Sequence, residues 1–217
     1  TRLETLDETN FDATVAFNQT IGNRFLIVPG VPEERLETIA ACKETAALFT
    51  RLAQKAKPHG MWIGYHAHNR DFQSLDGQTR WDLLFSNTSP EVVMQLDVGN
   101  CLDGSGGPYA ILRKFPGRSR TIHLKEFGGR PDAPIGEGKV DWKQVFDLCE
   151  STGNTEWYIV EHENGPDPLK SVKACIDNLK KRLEGQPMWL VAHRLRLMAN
   201  GSWLWLVAGG DWLMANG

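Results

Sequence analysis

Short apolar runs of strand length alternate with longer helical patterns along most of the chain. The predicted strands are Arg24–Gly30, Met61–His68, Val92–Val98, Thr121–Phe127 and Trp157–Glu161. The predicted helices are Pro32–Ala56, Trp81–Ser86, one that begins at Pro108, one from about Asp141, and Asp167–Leu183. Five β-α units in series predict an α/β fold with a parallel sheet and helices outside it, because strands that alternate with helices cross over in one hand.

Polar residues lie at the carboxyl ends of four of these strands, although a strand covered on both sides is expected to be apolar. Alternate side chains of a strand share a face. The pairs that share a face are His66 with His68, Gln95 with Asp97, His123 with Lys125, and Glu161 with Glu163. Barrels and open α/β sheets form their active sites at the carboxyl ends of strands. We therefore expect these side chains to surround one site.

A metal ion is the simplest explanation for this polar set. Two imidazoles and two carboxylates are costly to bury unless something pairs them, and a divalent cation does so. The predicted ligands are His66, Asp97, His123 and Glu161. Nitrogen and oxygen ligands without a thiolate suit Mn²⁺, Zn²⁺, Co²⁺ or Fe²⁺ better than Ca²⁺, and we expect Mn, Zn or Co. The alternative for each residue is a hydrogen-bonded core group, but four strands with the same pattern favour the metal.

The last thirty residues differ from the rest, since they hold only three charged residues but four of the eight tryptophans. Trp189–Ala192 recurs as Trp205–Ala208, and Leu197–Gly201 as Leu213–Gly217, with a period of 16 residues. The sequence thus predicts a barrel-type domain at 1–186 and an apolar tail at 187–217. The tail is either a set of strands that covers a sheet edge or an extension without function, and we favour the second interpretation.

Composition narrows the classes of partner. The 217 residues carry a net charge of −3 without a run of Lys or Arg, which argues against a nucleic-acid or anionic-membrane surface and favours a small-molecule substrate. The four cysteines are far apart in sequence, as is typical of reduced thiols in a cytoplasmic protein. No signal pattern begins the chain and no apolar run reaches 18 residues, so no membrane span is predicted.

Six segments together resemble a known family. They are Gly64–Phe72, Gln95–Asn100, Pro116–Arg118, His123–Glu126, Ile135–Trp142 and Glu156–Glu161. In this order they resemble the xylose isomerase-like TIM-barrel family of sugar (phosphate) isomerases and epimerases, which also includes inosose dehydratases. The resemblance runs from about Arg24 to Leu183 and implies a divalent metal held by four successive strands. The matching positions are the four residues already predicted as ligands.

The chain departs from the family pattern in two ways. Family epimerases usually have a glutamate where this chain has His66, so their symmetric pair of carboxylate bases is not reproduced. The first strands of the barrel are also missing from the resemblance, about 60 to 80 residues of the roughly 250 that are typical. A partial barrel exposes sheet edges, so we expect a homo-oligomer through those edges or the tail, or a fragment.

The function that the resemblance implies is a metal-dependent sugar or sugar phosphate isomerase or epimerase that works through an enediolate. Glu161 is the candidate base, and His68 and Lys125 are candidates for the second proton transfer or for holding a hydroxyl. Lys125 has an alternative as the ion-pair partner of Glu126 or Glu163. The expected substrate-binding residues are Gln95, Arg130 for a phosphate or carboxylate, and Glu137 for hydroxyls.

Two other functions stay open. A lyase or dehydratase of a keto-sugar or inosose would use the same metal site, and the histidine at position 66 is one point in favour of this alternative. A truncated or engineered barrel fragment would keep the ligand residues without catalysis. Asp103–Gly107 is interpreted as a turn into the helix at Pro108, and its alternative is an anion site.

Overall fold

Five parallel strands form half of a barrel. The computed structural model describes residues 1–163, 165 and 167–182, together with three later strands. The barrel strands are β1 (Phe25–Val28), β2 (Trp62–His66), β3 (Val93–Asp97), β4 (Thr121–Leu124) and β5 (Trp157–His162). Each pairs in parallel with the next along the chain, and Asp97 stands opposite His123. The α/β prediction, with a partial barrel, is confirmed.

Seven helices pack around these strands in the part of the chain that the structure describes. They are α1 (Phe11–Thr20), α2 (Ile39–Ala56), α3 (Arg80–Asn87), α4 (Val98–Asp103), α5 (Pro108–Lys114), α6 (Trp142–Leu148) and α7 (Pro168–Arg182). Short 3-10 turns lie at Leu3–Leu6, Glu33–Arg35, Lys57–His59 and Asn69–Phe72, a π-helical turn at Cys149–Gly153, and a two-residue hairpin pairs Ser74–Leu75 with Gln78–Thr79. Pro108 occupies the first turn of α5, as predicted, so the glycines before it turn the chain.

Side-chain caps decide where several helices begin. The side chains of Thr38, Thr79 and Asp141 each accept a hydrogen bond from the backbone N–H three residues later. The single helix predicted over Pro32–Ala56 was therefore wrong at its start, because the Thr38 cap begins α2 at Ile39. A 3-10 turn stands before it. Helix α1 was not predicted.

Strands β2 and β4 end earlier than their sequence patterns suggested, and this changes the position of two site residues. Strand β2 ends at His66, so His68 lies beyond it and precedes the Asn69–Phe72 turn. Strand β4 ends at Leu124, so Lys125 begins the following loop. The predicted ends at His68 and Phe127 were too long, because strand ends depend on pairing with neighbours.

Neighbouring strands approach so closely at Gly64 that no side chain fits. A β-carbon built there would lie 2.5 Å from Ile27 Cδ1 and 2.7 Å from the Val93 carbonyl oxygen. Both faces of the central strands are covered, and all five residues of β3 are buried, including Gln95 and Asp97. Burying these two polar side chains requires partners, which lie at the site described below.

Three further strands extend the sheet beyond β5. Leu195–Ala199 pairs in parallel with β5, and Ser202–Leu206 and Trp212–Ala215 follow in antiparallel order. The backbone of these residues agrees with the interpretation of the tail as strands that cover a sheet edge. The predicted boundary at 186 lies outside the described residues. All four cysteines are free and buried. None of the described helices has the length and apolarity that a membrane span requires.

Asp71 fixes the backbone of His68 from a buried position. Its Oδ2 accepts a hydrogen bond from the His68 N–H at 2.8 Å, and its Oδ1 accepts one from the Tyr65 hydroxyl at 3.2 Å. The residue is fully buried. Burial raises the pKa of Asp71 to about 6, despite the hydrogen bonds from His68 and Tyr65 that favour the carboxylate.

Replacing Asp71 by Asn is therefore expected to stabilise the protein at neutral pH. A pKa that is raised on folding favours the native state at low pH, and this contribution is lost as pH rises from about 4 through 6. The free energy of unfolding of Asp71→Asn, relative to the parent, should thus be about 2 kcal/mol higher at pH 7.5 than at pH 4.5. Urea denaturation at both values measures it. Asp12→Asn, at an exposed position, is the control. The prediction is contradicted if the free energy of unfolding of Asp71→Asn differs from that of the parent by the same amount at both pH values.

Candidate metal centre and its cavity

The four predicted metal ligands converge at the carboxyl ends of neighbouring strands. His66 ends β2, Asp97 ends β3, His123 lies in β4 and Glu161 in β5. One candidate ligand atom from each residue can be chosen so that all lie within 4.8 Å of one another. They meet because residues opposite one another in a parallel ladder share a face of the sheet. This set is called the four-residue cluster below.

His123 stands between the two carboxylates. Its Nδ1 lies 2.6 Å from Glu161 Oε2 and 3.8 Å from Asp97 Oδ2. Asp97 Oδ1 accepts a hydrogen bond from the Asn100 N–H at 2.6 Å, whereas its buried Oδ2 has no hydrogen-bond partner in the described part of the chain. A buried carboxylate oxygen without a donor is costly, so this atom is suited to a cation.

His66 is held from behind by Gln95. The His66 Nδ1 lies 3.1 Å from Gln95 Oε1, and the Gln95 amide nitrogen donates to Thr121 Oγ1 at 2.8 Å. Because an amide oxygen only accepts, His66 Nδ1 carries the hydrogen and its Nε2 keeps a free lone pair. Gln95 is thus buried beside the cluster and is not among the residues that line the cavity. We expect it to orient His66 rather than to contact substrate.

The charges of the cluster are poorly matched without a cation. Burial, and then the charge of Glu161, raise the pKa of Asp97 well above its usual value. Burial, and then the charge of His123, lower the pKa of His66 well below its usual value. Asp97 thus resists ionisation and His66 stays neutral. A divalent cation removes the conflict, since it favours the ionised carboxylates and binds neutral imidazole.

Lys125 joins the cluster to the cavity wall. Its ammonium donates hydrogen bonds to Glu161 Oε1 at 3.1 Å, to Glu163 Oε2 at 2.6 Å and to Asn100 Oδ1 at 3.0 Å. Burial opposes the charge of Lys125, but the hydrogen bond to Glu163 and the charges of Asp97 and Glu161 raise its pKa overall. Of the two ion-pair partners expected for Lys125, Glu163 is observed and Glu126 is not, and Lys125 also pairs with Glu161.

Glu161 faces the cluster with one oxygen and Lys125 with the other. Burial would raise its pKa, but the hydrogen bond and charge of His123, together with Lys125, hold the pKa of Glu161 below its usual range. It is therefore a carboxylate at neutral pH. Its Oε1 is the oxygen on the Lys125 side, at the edge of the cavity.

A polar cavity of about 520 Å³ adjoins the cluster, and Glu161 is the cluster residue that lines it. His68, Lys125, Glu161 and Glu163 contribute to its wall, and Arg130 lies at its rim. Glu137 does not line the cavity. Its carboxylate accepts a hydrogen bond from Arg130 Nη2 at 3.1 Å, and Arg130 Nη1 also lies 3.6 Å from Asp132. Arg130 thus enters the cavity wall with its charge already paired.

Two residues of the site were not singled out by sequence. Asn100 accepts from Lys125 and donates through Nδ2 to the Ala67 carbonyl at 3.0 Å, which links the ends of β2 and β4. Gly99 leaves room for the Lys125 stem, because a β-carbon there would lie 2.7 Å from Lys125 Cγ. The only sequence signal was their place in Gln95–Asn100, directly after a strand.

Known proteins share this chain's fold and part of its sequence. The xylose isomerase-like TIM barrel family matches residues 8–182. The inosose dehydratase of Clostridium tetani is 26% identical over a match that covers 67% of this chain and 56% of that protein. The inosose dehydratase of Clostridium beijerinckii is 28% identical, with 54% and 46% covered. A sugar phosphate isomerase/epimerase from Parabacteroides distasonis superposes with a TM-score of 0.68 at 25% identity, over 83% of this chain and 68% of that one.

The chain spans about half the length of the curated relatives it matches. The family match begins at residue 8, before β1, and ends with α7. It includes all four residues of the cluster and the whole described wall of the cavity. With its half-barrel of parallel strands, the chain belongs to the xylose isomerase-like TIM barrel family.

Proposed function

We propose that the protein catalyses the metal-dependent dehydration of a keto-polyol of the inosose class. The observation that carries the proposal is the cluster of two histidines and two carboxylates, within 4.8 Å of one another, next to a polar cavity that Glu161 of the cluster lines. The relatives named inosose dehydratase support the choice of substrate class. The proposed reaction removes a proton next to a ketone and releases a hydroxyl from the neighbouring carbon as water.

The four-residue cluster is the proposed metal site. Its ligand types suit Mn²⁺, Zn²⁺ or Co²⁺. Asp97 Oδ2 is a buried oxygen to which no group in the described part of the chain donates a hydrogen bond. A bound divalent ion would act as a Lewis acid that stabilises the negative charge developing on the substrate oxygen, worth several kcal/mol. The remaining chemistry belongs to side chains of the chain.

Glu161 and Lys125 form the proposed base and acid. Glu161 Oε1 is a carboxylate oxygen at the cavity edge and takes the proton from carbon. The Lys125 ammonium exchanges its hydrogen bond to Asn100 for one to the departing hydroxyl and gives that group a proton. The two atoms are 3.1 Å apart, so the proton on Glu161 can return to Lys125 and restore both groups. The balance is the loss of one hydrogen and one hydroxyl, which leave as water.

Epimerisation of a keto-sugar is the second candidate function. It needs two proton-transfer groups on opposite faces of the substrate, whereas Glu161 and Lys125 are in contact with each other. His68 is the proposed second base, because burial, and then Arg70, lower its pKa and keep the imidazole neutral at pH 7. The structural likeness to a sugar phosphate isomerase/epimerase supports this alternative.

The two functions differ in their products. The Mn²⁺-loaded protein would be incubated in D₂O with an inosose and, separately, with D-fructose, and both reactions followed by NMR. Loss of water from the inosose supports dehydration. Exchange of a carbon-bound hydrogen of fructose without loss of water would instead support epimerisation. No reaction with either compound would contradict both proposals.

Replacing Lys125 by Met is expected to lower kcat for dehydration by about 100-fold or more, because general acids typically contribute 10²–10⁴-fold. Mn²⁺ affinity should stay close to that of the parent, since Lys125 is not a ligand. Steady-state kinetics and Mn²⁺ titration measure the two effects. Lys114→Met, which removes an exposed lysine paired with Asp82, is the control. Parental kcat in Lys125→Met would rule out the acid role.

A further inference from the structure

Glu126 stands at the start of the loop that forms one side of the cavity. This loop, here called the rim loop, comprises residues 127–141 between β4 and α6. Six of its residues line the cavity: Phe127, Gly128, Gly129, Arg130, Pro131 and Ala133. The position of the rim loop therefore determines the shape of the cavity next to the four-residue cluster.

The carboxylate of Glu126 binds both ends of the rim loop. Its Oε1 accepts hydrogen bonds from the Phe127 N–H at 3.0 Å and the Val140 N–H at 3.2 Å. Its Oε2 accepts from the Gly136 N–H at 2.5 Å and from the Trp142 indole N–H at 2.8 Å. One side chain thus joins the first residue of the loop, its far turn, its end and the first residue of α6.

The backbone around this carboxylate is shaped to enclose it. A β-carbon at Gly138 would lie 2.5 Å from Glu126 Oε1, so the loop packs directly on the carboxylate. Gly136, which donates to Oε2, has a φ of +90°, a left-handed value that favours glycine. The Lys139 N–H also donates to the Phe127 carbonyl at 2.8 Å, which closes the neck of the loop. The loop is therefore folded around Glu126.

The far side of the rim loop is attached more weakly, to α7. The Ile135 N–H donates to Cys175 Sγ at 3.4 Å, and Asn178 Nδ2 donates to the Ile135 carbonyl at 3.0 Å. These two contacts are between neutral groups. A third, from Asn178 Nδ2 to Glu137 Oε1, is long at 3.3 Å, whereas all four bonds at Glu126 end on one carboxylate. Hydrogen bonds to charged groups are about twice as strong as neutral ones, so Glu126 dominates the attachment.

We propose that Glu126 is a positioning residue that fixes the rim loop and thereby sets the affinity of the cavity for substrate. It is not a second base. An ionised carboxylate has about four acceptor positions, and the four N–H donors occupy them, so none is left for a substrate proton. Glu126 acts on substrate binding through the rim loop, including Arg130, and not through the four-residue cluster. The substrate part of this inference rests on the proposed function.

Glu126→Gln tests the inference, because it keeps the shape of the side chain but replaces one acceptor oxygen with a donor. Backbone amides in the rim loop are expected to exchange with D₂O roughly tenfold faster or more, while those of β4 keep their protection. The indole N–H resonance of Trp142, assigned with Trp142→Phe, should shift upfield. For the inosose reaction we expect KM to rise about tenfold with kcat little changed, and Mn²⁺ affinity to stay within about twofold.

Asp132→Asn is the matched control, since it removes a carboxylate from the same loop that accepts none of these backbone bonds. Glu126→Asp keeps the charge with a shorter reach and should give an intermediate effect. Parental exchange rates in Glu126→Gln, or a loss of Mn²⁺ affinity equal to the rise in KM, would overturn the inference. The exchange experiment needs no substrate, so it stands or fails separately from the proposed reaction.

Discussion

Asp97→Asn is expected to abolish the stabilisation of the protein by Mn²⁺. In the parent, an ion present at 100 times its dissociation constant should raise the free energy of unfolding by about 2.7 kcal/mol. Asn keeps the oxygen that caps α4 through the Asn100 N–H but carries no negative charge at the position of Oδ2. We therefore expect Mn²⁺ affinity to fall by at least about 100-fold. Activity should fall by about 10³-fold, because a Lewis acid supplies several kcal/mol.

The effect on the metal-free protein should have the opposite sign or be absent. Burial, and then the charge of Glu161, oppose ionisation of Asp97, and Asn carries no group that has to ionise or be kept protonated at this buried position. Metal-free Asp97→Asn is expected to melt at or above the temperature of the parent. This sign separates a ligand role from general damage to the fold, which would lower the melting temperature with and without metal.

Asp103→Asn is the control for this experiment. Asp103 lines the same cavity and binds Asn69 Nδ2 at 2.8 Å, but it lies outside the four-residue cluster. It should retain the full Mn²⁺-dependent rise in melting temperature. If Mn²⁺ stabilises Asp97→Asn as much as the parent, or fails to stabilise the parent at all, the cluster is not a metal site and a non-catalytic barrel fragment becomes the better interpretation.

The convergence of the four-residue cluster could be predicted from sequence because it depends on two local rules. Alternation along a strand gives the face of each side chain, and parallel order brings the carboxyl ends together. Both rules hold even when a strand end is misplaced by one or two residues. His66, Asp97 and His123 each lie inside or at the end of the observed strands, so the error in strand length did not move them.

The contacts around the cluster could not be predicted in the same way. His68 and Lys125 lie one or two residues past their strands, where the backbone leaves the pleat and alternation no longer gives a direction. Gln95 binds His66, which is 29 positions away, and Arg130 binds Glu137 of the same irregular loop. Glu126 received its donors from a loop that no periodic pattern describes. Such contacts depend on tertiary packing, which a single sequence does not specify.

Arg118 also makes contacts that depend on tertiary packing. We expect Arg118→Met to destabilise the protein by about 4 kcal/mol. The guanidinium is buried and donates to the carbonyls of Phe85, Ser89 and Val92 and to the Thr88 hydroxyl. These acceptors form the connection between the end of α3 and the start of β3. Met fills a similar volume but leaves several buried carbonyls without donors, each costing roughly 1–3 kcal/mol.

The Arg118 contact also satisfies the end of α3. The carbonyls of the last helical turn have no partner within the helix, and Phe85 belongs to that turn. Arg118 Nη1 reaches its oxygen at 2.7 Å, and the guanidinium lies 5.0 Å from the centre of the Phe85 ring. Burial lowers the pKa of Arg118 to about 10, so it is still charged at neutral pH. Its hydrogen bonds are therefore charge-assisted.

Chemical denaturation of metal-free protein measures this effect, with two control variants. Arg118→Lys keeps the charge but loses the planar fork, so its loss of stability should fall between those of the parent and Arg118→Met. Arg113→Met removes an exposed arginine of α5 and should change stability by no more than about 0.5 kcal/mol. If Arg118→Met lowers the free energy of unfolding no more than Arg113→Met does, the carbonyls of Phe85 and Val92 find other donors. The proposed importance of the Arg118 contacts for β3, and for the cluster at its end, would then be wrong.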